Sequence, residues 1–374
     1  MFSKGFRVFI RSCPFLLLFL AGCSTYQPVA RLGQFPEIDR AAREEMAKQG
    51  IVGATVGIIR DNRIVYLQAY GLDDPEKSIP MDTDKLFRWA SISKPLTALA
   101  AMQLWEMGDL DLDADVRLYV PEFPDKGVEI TMRQLLGHQG GIVHYSNGKV
   151  IGTKREYDSP HPFEDVVHAL DGFNESPLVN QPGAKYSYST RGYILASAVV
   201  QKAGKERFAD QVQRRIAEPQ GMQSLQPDYQ WKDIPNRALG YRKTLGVIRR
   251  SSNTDVSWKL GGGGYISTVG DLARLAEGLL NGKLVEPKTF ELMSKPQKTS
   301  TGKQTSYGLG FSMAGEGEDW SVSHSGSQEK VKTLLSIYPN RGTGIVIMCN
   351  SEHASPKQFG ERLTAVLHGT LSAE

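Results

Sequence analysis

Cysteine is scarce in this chain: of 374 residues only Cys13, Cys23 and Cys349 carry a thiol. Three isolated positions build neither a disulfide framework nor a zinc cluster. The seven histidines contain no His-Glu-x-x-His, so a metalloenzyme is disfavoured and neither a metal nor another cofactor is expected. No Gly-x-Ser-x-Gly occurs, which disfavours a Ser-His-Asp α/β-hydrolase. The glycine cluster at 261–264 lacks the Gly-Lys-Ser/Thr ending of a phosphate loop and reads as close backbone packing. An excess of one charge is missing too. The formal net charge is +3, and Lys4, Arg7 and Arg11 account for it within residues 1–22, which contain no acid. The remainder is neutral and gives no electrostatic reason to expect nucleic-acid binding. Repeats and long charge runs are absent. A composition 40% hydrophobic and 23% charged is that of a globular chain, long enough for one large or two-lobed domain.

The N-terminus reads as a targeting segment. A basic stretch is followed by Phe15-Leu16-Leu17-Leu18-Phe19-Leu20, too short for a membrane span, which needs about 20 apolar residues. Leu20-Ala21-Gly22-Cys23 then resembles the lipobox of bacterial lipoproteins. That resemblance implies a signal peptide over 1–22 and a lipidated Cys23. It also implies an anchor on the periplasmic face of the outer membrane, because Ser24 follows the cysteine. Residues 23–35 would be a polar tether reaching about 40 Å, at roughly 3.3 Å per residue. An uncleaved anchor or a plain signal peptide is the other reading.

Residues 36–374 form the candidate catalytic domain. A helix is expected over 38–48, ended by Gly50, and then strands over 54–59 and 64–70 around Arg60-Asp61-Asn62-Arg63. Helical periodicity runs over 92–107, ended by Gly108. The middle, about 110–260, reads as helix and loop, with helices over 190–203 and 208–217. Thr268-Val269-Gly270-Asp271 reads as a helix start. Strands follow over 308–314, 320–325, 331–338 and 343–350, with a last helix over 356–368. Cys349 falls in an apolar strand and reads as a small core residue. The expected class is α+β: an antiparallel sheet flanked by N- and C-terminal helices, beside a mainly helical lobe.

Chemistry is suggested first at Ser91-Ile92-Ser93-Lys94. The three-residue spacing puts the Ser91 and Lys94 side chains on one helical face. A serine hydroxyl needs a base, and a lysine serves only if its surroundings lower its pKa. A helix start also aims backbone N–H groups at a developing oxyanion. The spacing alone is weak, since it recurs at Ser146/Lys149, Ser300/Lys303 and Ser327/Lys330. Two strands before Ser91 and a strong helix after it set this copy apart. Tyr188-Ser189-Thr190 precedes another helix, and His324-Ser325-Gly326 ends a strand. His138, His144, His161 and His168 read as surface or supporting residues, and His353 and His368 carry no functional weight.

Ser-x-x-Lys, then Tyr-x-Asn, then Lys-Thr-Gly or His-x-Gly is the motif order of class C β-lactamases and related carboxypeptidases, esterases and aminopeptidases. The chain resembles that penicillin-binding-protein superfamily over nearly all of residues 36–374. Within it the chain looks most like the mitochondrial serine-β-lactamase-like branch and its bacterial relatives. Leu135-Leu136-Gly137-His138 and Ser267-Thr268-Val269-Gly270-Asp271 carry that closer likeness. The resemblance implies Ser91 as nucleophile, Lys94 as its base and Tyr188 as a second proton carrier with a lowered pKa. It places Thr190, His324, Ser325 and Gly326 at the substrate, with the Ser327 N–H completing the oxyanion hole.

Three departures are visible. Thr190 stands where many relatives have Asn. His324, only partly charged near neutral pH, stands where β-lactamases have Lys. Ser327-Gln328-Glu329-Lys330 is polar where relatives often have glycine. The implied activity is acyl-enzyme hydrolysis of small peptide, ester or β-lactam-like substrates. β-Lactams should be poor ones unless Lys330 or Lys332 restores a charge over the cleft. A non-catalytic envelope-binding or self-assembling protein on the same fold is the alternative.

Overall fold

The structure, a computed structural model, describes Met1 and residues 34–370. The leader, Cys13, Cys23 and nearly all of the tether lie outside the described residues. Helix α1 (Pro36–Gln49) starts on a proline and stops at Gly50, whose φ of +68° is the left-handed cap that glycine supplies. Strands β1 (Gly53–Arg60) and β2 (Arg63–Asp74) form a hairpin whose turn residues, Asp61 and Asn62, both have positive φ. That is the tight turn that matches strand twist. Short strands β3 (Ile79–Pro80) and β4 (Phe87–Arg88) lead to a 3₁₀ turn, Ala90–Ile92, and helix α2 (Ser93–Glu106).

The middle of the chain holds α3 (Met132–Leu136), α4 (Thr190–Ala203), α5 (Phe208–Val212) and β5 (Gln226–Pro227). A hairpin of β6 (Tyr241–Thr244) and β7 (Val247–Arg250) follows, then α6 (Leu260–Gly263), β8 (Tyr265–Ser267), α7 (Val269–Leu280) and α8 (Pro287–Met293). The chain closes with β9 (Ser312–Ala314), β10 (Ser321–Gln328), β11 (Val331–Tyr338), β12 (Thr343–Cys349) and α9 (Pro356–Leu367).

The main sheet has seven antiparallel strands in the order β3-β2-β1-β12-β11-β10-β9, so both ends of the chain meet at β1 and β12. Strand β12 is buried on both faces. Ile345, Ile347 and Cys349 pack towards α1 and α9 with Ile38, Ala42, Phe359 and Leu363. Val346 and Met348 face the other way, into the larger core that holds α2, α4 and α7. Cys349 is buried, and its thiol is pushed up to about 12 by that burial, which fits a packing residue.

The expected α+β architecture is present, with two differences. The strand expected over 308–314 is formed only at Ser312–Ala314, since Gly308 and Gly310 pack against Met293 and Ala98 with no room for a side chain. The middle is also less helical than expected. Residues 137–189 hold only 3₁₀ turns, and β6–β7 adds a hairpin with few apolar residues to mark it. Among the described residues no helix is long and apolar enough to cross a membrane.

Candidate active site

A three-stranded ribbon, β4-β8-β5, holds the turn that carries Ser91. Its anchor is a buried ion cluster. Arg88 Nε donates to Asp228 at 2.6 Å, and Arg237 Nε donates to the other carboxylate oxygen at 2.9 Å. The Trp89 N–H donates to the Tyr265 carbonyl, and the Thr333 hydroxyl donates to the Trp89 carbonyl. Ala90 sits at φ +49°, which side chains tolerate poorly, and turns the chain into Ser91. Gly326 makes that turn compatible with β10. A methyl there would come within 2.1 Å of the Thr333 hydroxyl and 2.5 Å of the Trp89 carbonyl oxygen. This close approach lays β10 along the turn that carries Ser91.

Lys94 lies one turn on and is fully buried. Its Nζ is 3.0 Å from Ser91 Oγ and 2.7 Å from the Gly262 carbonyl oxygen. Among the described residues it has no carboxylate partner. Burial, helped by the charge on Lys259, holds its pKa well below the ordinary lysine value. A neutral amine has N–H groups and one lone pair. The carbonyl can only accept, so an N–H goes to Gly262 and the lone pair is left for the Ser91 proton. The glycine cluster is the close packing expected of it. Side chains at 261 and 262 would collide with Ser197 and Thr190.

Tyr188 stacks at this pair, its ring centroid 4.9 Å from Lys94 Nζ. Its pKa is raised rather than lowered, because burial outweighs the hydrogen bond to Ser91. The expected acidic phenol is therefore corrected to a protonated one. Two backbone contacts grip its neighbours: the Ser187 N–H donates to the His138 carbonyl, and the Ser189 N–H donates to His138 Nδ1. The His138 ring lies 4.1 Å from the Tyr188 ring. Of the two readings open for His138, surface or supporting, the second holds: it supports the site from within the core. The adjacent Leu-Leu-Gly-His phrase was the available signal.

Thr190 is buried, and its methyl packs on Gly262. Its N–H donates to His144 Nδ1 and its hydroxyl meets the Tyr145 phenol, so it braces the wall rather than reaching Lys94. His324 points inward. Its Nδ1 faces the Ser325 carbonyl at 2.7 Å and must donate, which leaves Nε2 to accept from the Tyr307 hydroxyl at 3.0 Å. Burial pushes its pKa down to about 3, so the partly charged imidazole expected from the sequence is corrected to a neutral one.

Strand alternation turns the neighbouring serine side chains away from His324 and leaves the N–H expected of Ser327 untouched. Ser325 and Ser327 present their side chains to the α9 face, away from the cleft. Ser325 lines a cavity of about 600 Å³ there, together with Ser323, Ser336 and Tyr338. Lys332 donates to the Ser327 hydroxyl at 2.6 Å on this outer face, and Lys330 donates to Asn253. Neither lysine covers the cleft. The 327–330 segment is a tight hairpin, with Lys330 at φ +74°. Gln328 is its cleft-facing residue, its side-chain oxygen 3.6 Å from the position a Cβ at Gly263 would take. No group of three or more His, Cys, Asp or Glu able to hold a metal occurs among the described residues.

Comparison with known proteins agrees with this fold. The chain is 27% identical to the human mitochondrial serine β-lactamase-like protein LACTB, over 83% of this chain and 75% of that one. It is 32% identical to Esterase EstB of Burkholderia gladioli over about half of each chain. The octameric penicillin-binding protein homologue of Pyrococcus abyssi shares the fold at a TM-score of 0.74 and 24% identity, covering 89% of this chain and 77% of that one. The Beta-lactamase family model matches residues 38–369, from the first helix to the last, and the chain belongs to that family.

Proposed function

We propose that this serine hydrolase of the β-lactamase family forms its acyl-enzyme on Ser91, with Lys94 as base and Tyr188 as proton donor. The observation that carries the reading is the buried, carboxylate-free amine 3.0 Å from the Ser91 hydroxyl. Lys94 takes the Ser91 proton as Oγ attacks the carbonyl carbon. The N–H groups of Ser91 and Ser327 receive the oxyanion. Tyr188, protonated at rest, gives its proton to the leaving atom and regains one through Lys94. Water then attacks the ester by the same steps reversed.

A β-lactam presents its carboxylate near the scissile bond, where relatives hold a lysine and this chain holds neutral His324. Ester and peptide-like amide substrates are therefore favoured. The test is a fluorophosphonate probe with intact-mass detection, followed by kcat/KM for nitrocefin and a p-nitrophenyl ester. A single adduct on Ser91 is expected, with the ester turned over faster. The ester-to-nitrocefin ratio should stay constant from pH 5.5 to 8.5. Lys94 enters both rates alike, and His324 keeps its neutral form above its pKa of about 3. A ratio that swings through pH 6.5 would mean that His324 titrates there and sets the choice.

We propose further that Cys23 is lipidated and tethers the domain in the bacterial cell envelope, on the sequence order of basic stretch, apolar run and Leu-Ala-Gly-Cys. Radiolabelled palmitate should enter the wild type and be lost in Cys23→Ser. An unlabelled wild type removes the lipoprotein reading.

A further inference from the structure

Beyond Tyr188 and Thr190 the cleft wall changes character. Tyr145 is 52% exposed, and Trp258 stands edge-on to it at 6.4 Å. Two cations lie against this pair. The Arg191 guanidinium is 5.3 Å from the Tyr145 ring and 5.8 Å from the Trp258 ring. Lys259 Nζ is 6.0 Å and 5.6 Å from the same two rings. Among the described residues neither cation has an ion pair or a side-chain hydrogen bond, although Arg88, Arg117, Arg133 and Arg237 all have acid partners. Arg191 Nη1 is buried with nothing to donate to.

Their place in the chain ties them to the chemistry. Arg191 comes three residues after Tyr188, on the first turn of α4. Lys259 comes three residues before Gly262, whose carbonyl holds Lys94. Burial lowers the pKa of both groups, and the Lys259 charge is felt at Lys94. Two partly desolvated cations therefore lie against the same two rings without an acid partner. An anion at this wall gives the orphan Arg191 donor an acceptor and adds a charge-assisted contact to each cation it reaches. Glu329, at the exposed tip of the β10–β11 hairpin, is the acid whose charge reaches this wall, and its contact is a long bond from the Thr254 hydroxyl.

We infer that Arg191 and Lys259, on the Tyr145–Trp258 wall, form a carboxylate-binding subsite, and that the preferred substrates are esters or amides bearing a carboxylate at a distance from the scissile bond. The inference rests on the acyl-enzyme reading and deepens it. It also moves the charge recognition that His324 lacks from β10 to the opposite set of elements. Because the aromatic rings flank the cations, the segment between carboxylate and scissile bond is apolar or aromatic in this scheme.

The test uses two pairs of substrates. One places the carboxylate on the acyl side: p-nitrophenyl hydrogen glutarate against p-nitrophenyl valerate. The other places it on the leaving group: 4-acetoxybenzoate against 4-acetoxybenzamide. Wild type is expected to prefer the anionic member of at least one pair by roughly tenfold in kcat/KM, the scale of one charge-assisted hydrogen bond. Lys259→Met should erase that ratio and Lys259→Arg should keep it. Lys259→Glu should invert it, and Glu329→Gln should increase it. The readout is the ratio, so a general loss of rate in a variant does not imitate the effect. No preference in either pair, or a ratio unchanged in Lys259→Met and Lys259→Glu, overturns the subsite. Fluorophosphonate labelling is run alongside. If Ser91 labels and the preference is missing, only the subsite falls. If Ser91 does not label, the acyl-enzyme reading falls with it.

Discussion

Ser91→Ala is expected to lower turnover by roughly 10⁴-fold or more and to abolish probe labelling, and adding Lys94→Met should cost little beyond that. The two groups act as one unit. Without the hydroxyl the amine has nothing to deprotonate, and without the neutral amine the hydroxyl stays a weak nucleophile. Burst kinetics and intact-mass spectrometry on the single and double variants decide it. Additive losses would show that Lys94 acts on another step. Stability separates this effect from misfolding. Lys94 is held neutral in the fold, whereas the unfolded chain binds a proton at that position at any pH below the ordinary lysine value. The unfolded state therefore carries more protons, and the penalty on folding grows as pH falls below that value. Lys94→Met removes the penalty, so it should melt higher than wild type at neutral pH while being inactive.

The second large effect lies behind the nucleophile. Asp228→Ala is expected to cost about 3–5 kcal/mol of stability, because it leaves Arg88 charged and unpaired inside the protein. The side chains of Arg88 and Asp228 are 3% and 0% exposed, and Arg237 shares the same carboxylate. Arg88 also donates to the Thr254 carbonyl, so its release would loosen residues 254–259 and with them Lys259. Chemical denaturation of the purified domain gives the value. A loss below about 1 kcal/mol would show that water reaches the freed guanidinium, as it does at exposed ion pairs.

The fold was legible where period and punctuation agreed. Gly50, the Asp61-Asn62 turn, Gly108 and the Thr268 start each marked an element end that the structure places within a residue or two. It was illegible over 137–189, where the chain is fixed by contacts rather than by its own periodicity. Lys126, for example, holds the carbonyls of Asn174 and Ser176 from 48 and 50 residues away. In the site, Ser91 and Lys94 were readable because one helical turn joins them. The states of Tyr188 and His324 were not, because ionisation depends on burial, and burial comes from segments far apart in sequence. Arg191 and Lys259 were missed for a similar reason: in sequence each is one more exposed-looking cation, and only the fold brings them to the same two rings.

The meeting of the two chain ends at β1 and β12 has a consequence for how the protein is made. Strand β1 pairs with β12, and the Gly53 N–H bonds the Asn350 side chain across 297 residues. Five of the six pairings in the sheet join strands consecutive in the chain, and β1–β12 alone is distant, so that one closure carries the large loop-ordering cost and is slow to form. While the C-terminal third is still being synthesised, β1 is paired on its β2 side alone and the turn before Ser91 has no Thr333 to rest on, a contact spanning 244 residues. A growing chain therefore carries an open hairpin edge and an unassembled reaction centre until its last strands appear. The unpaired edge of β1 is then where the unfinished chain is most open to misassociation.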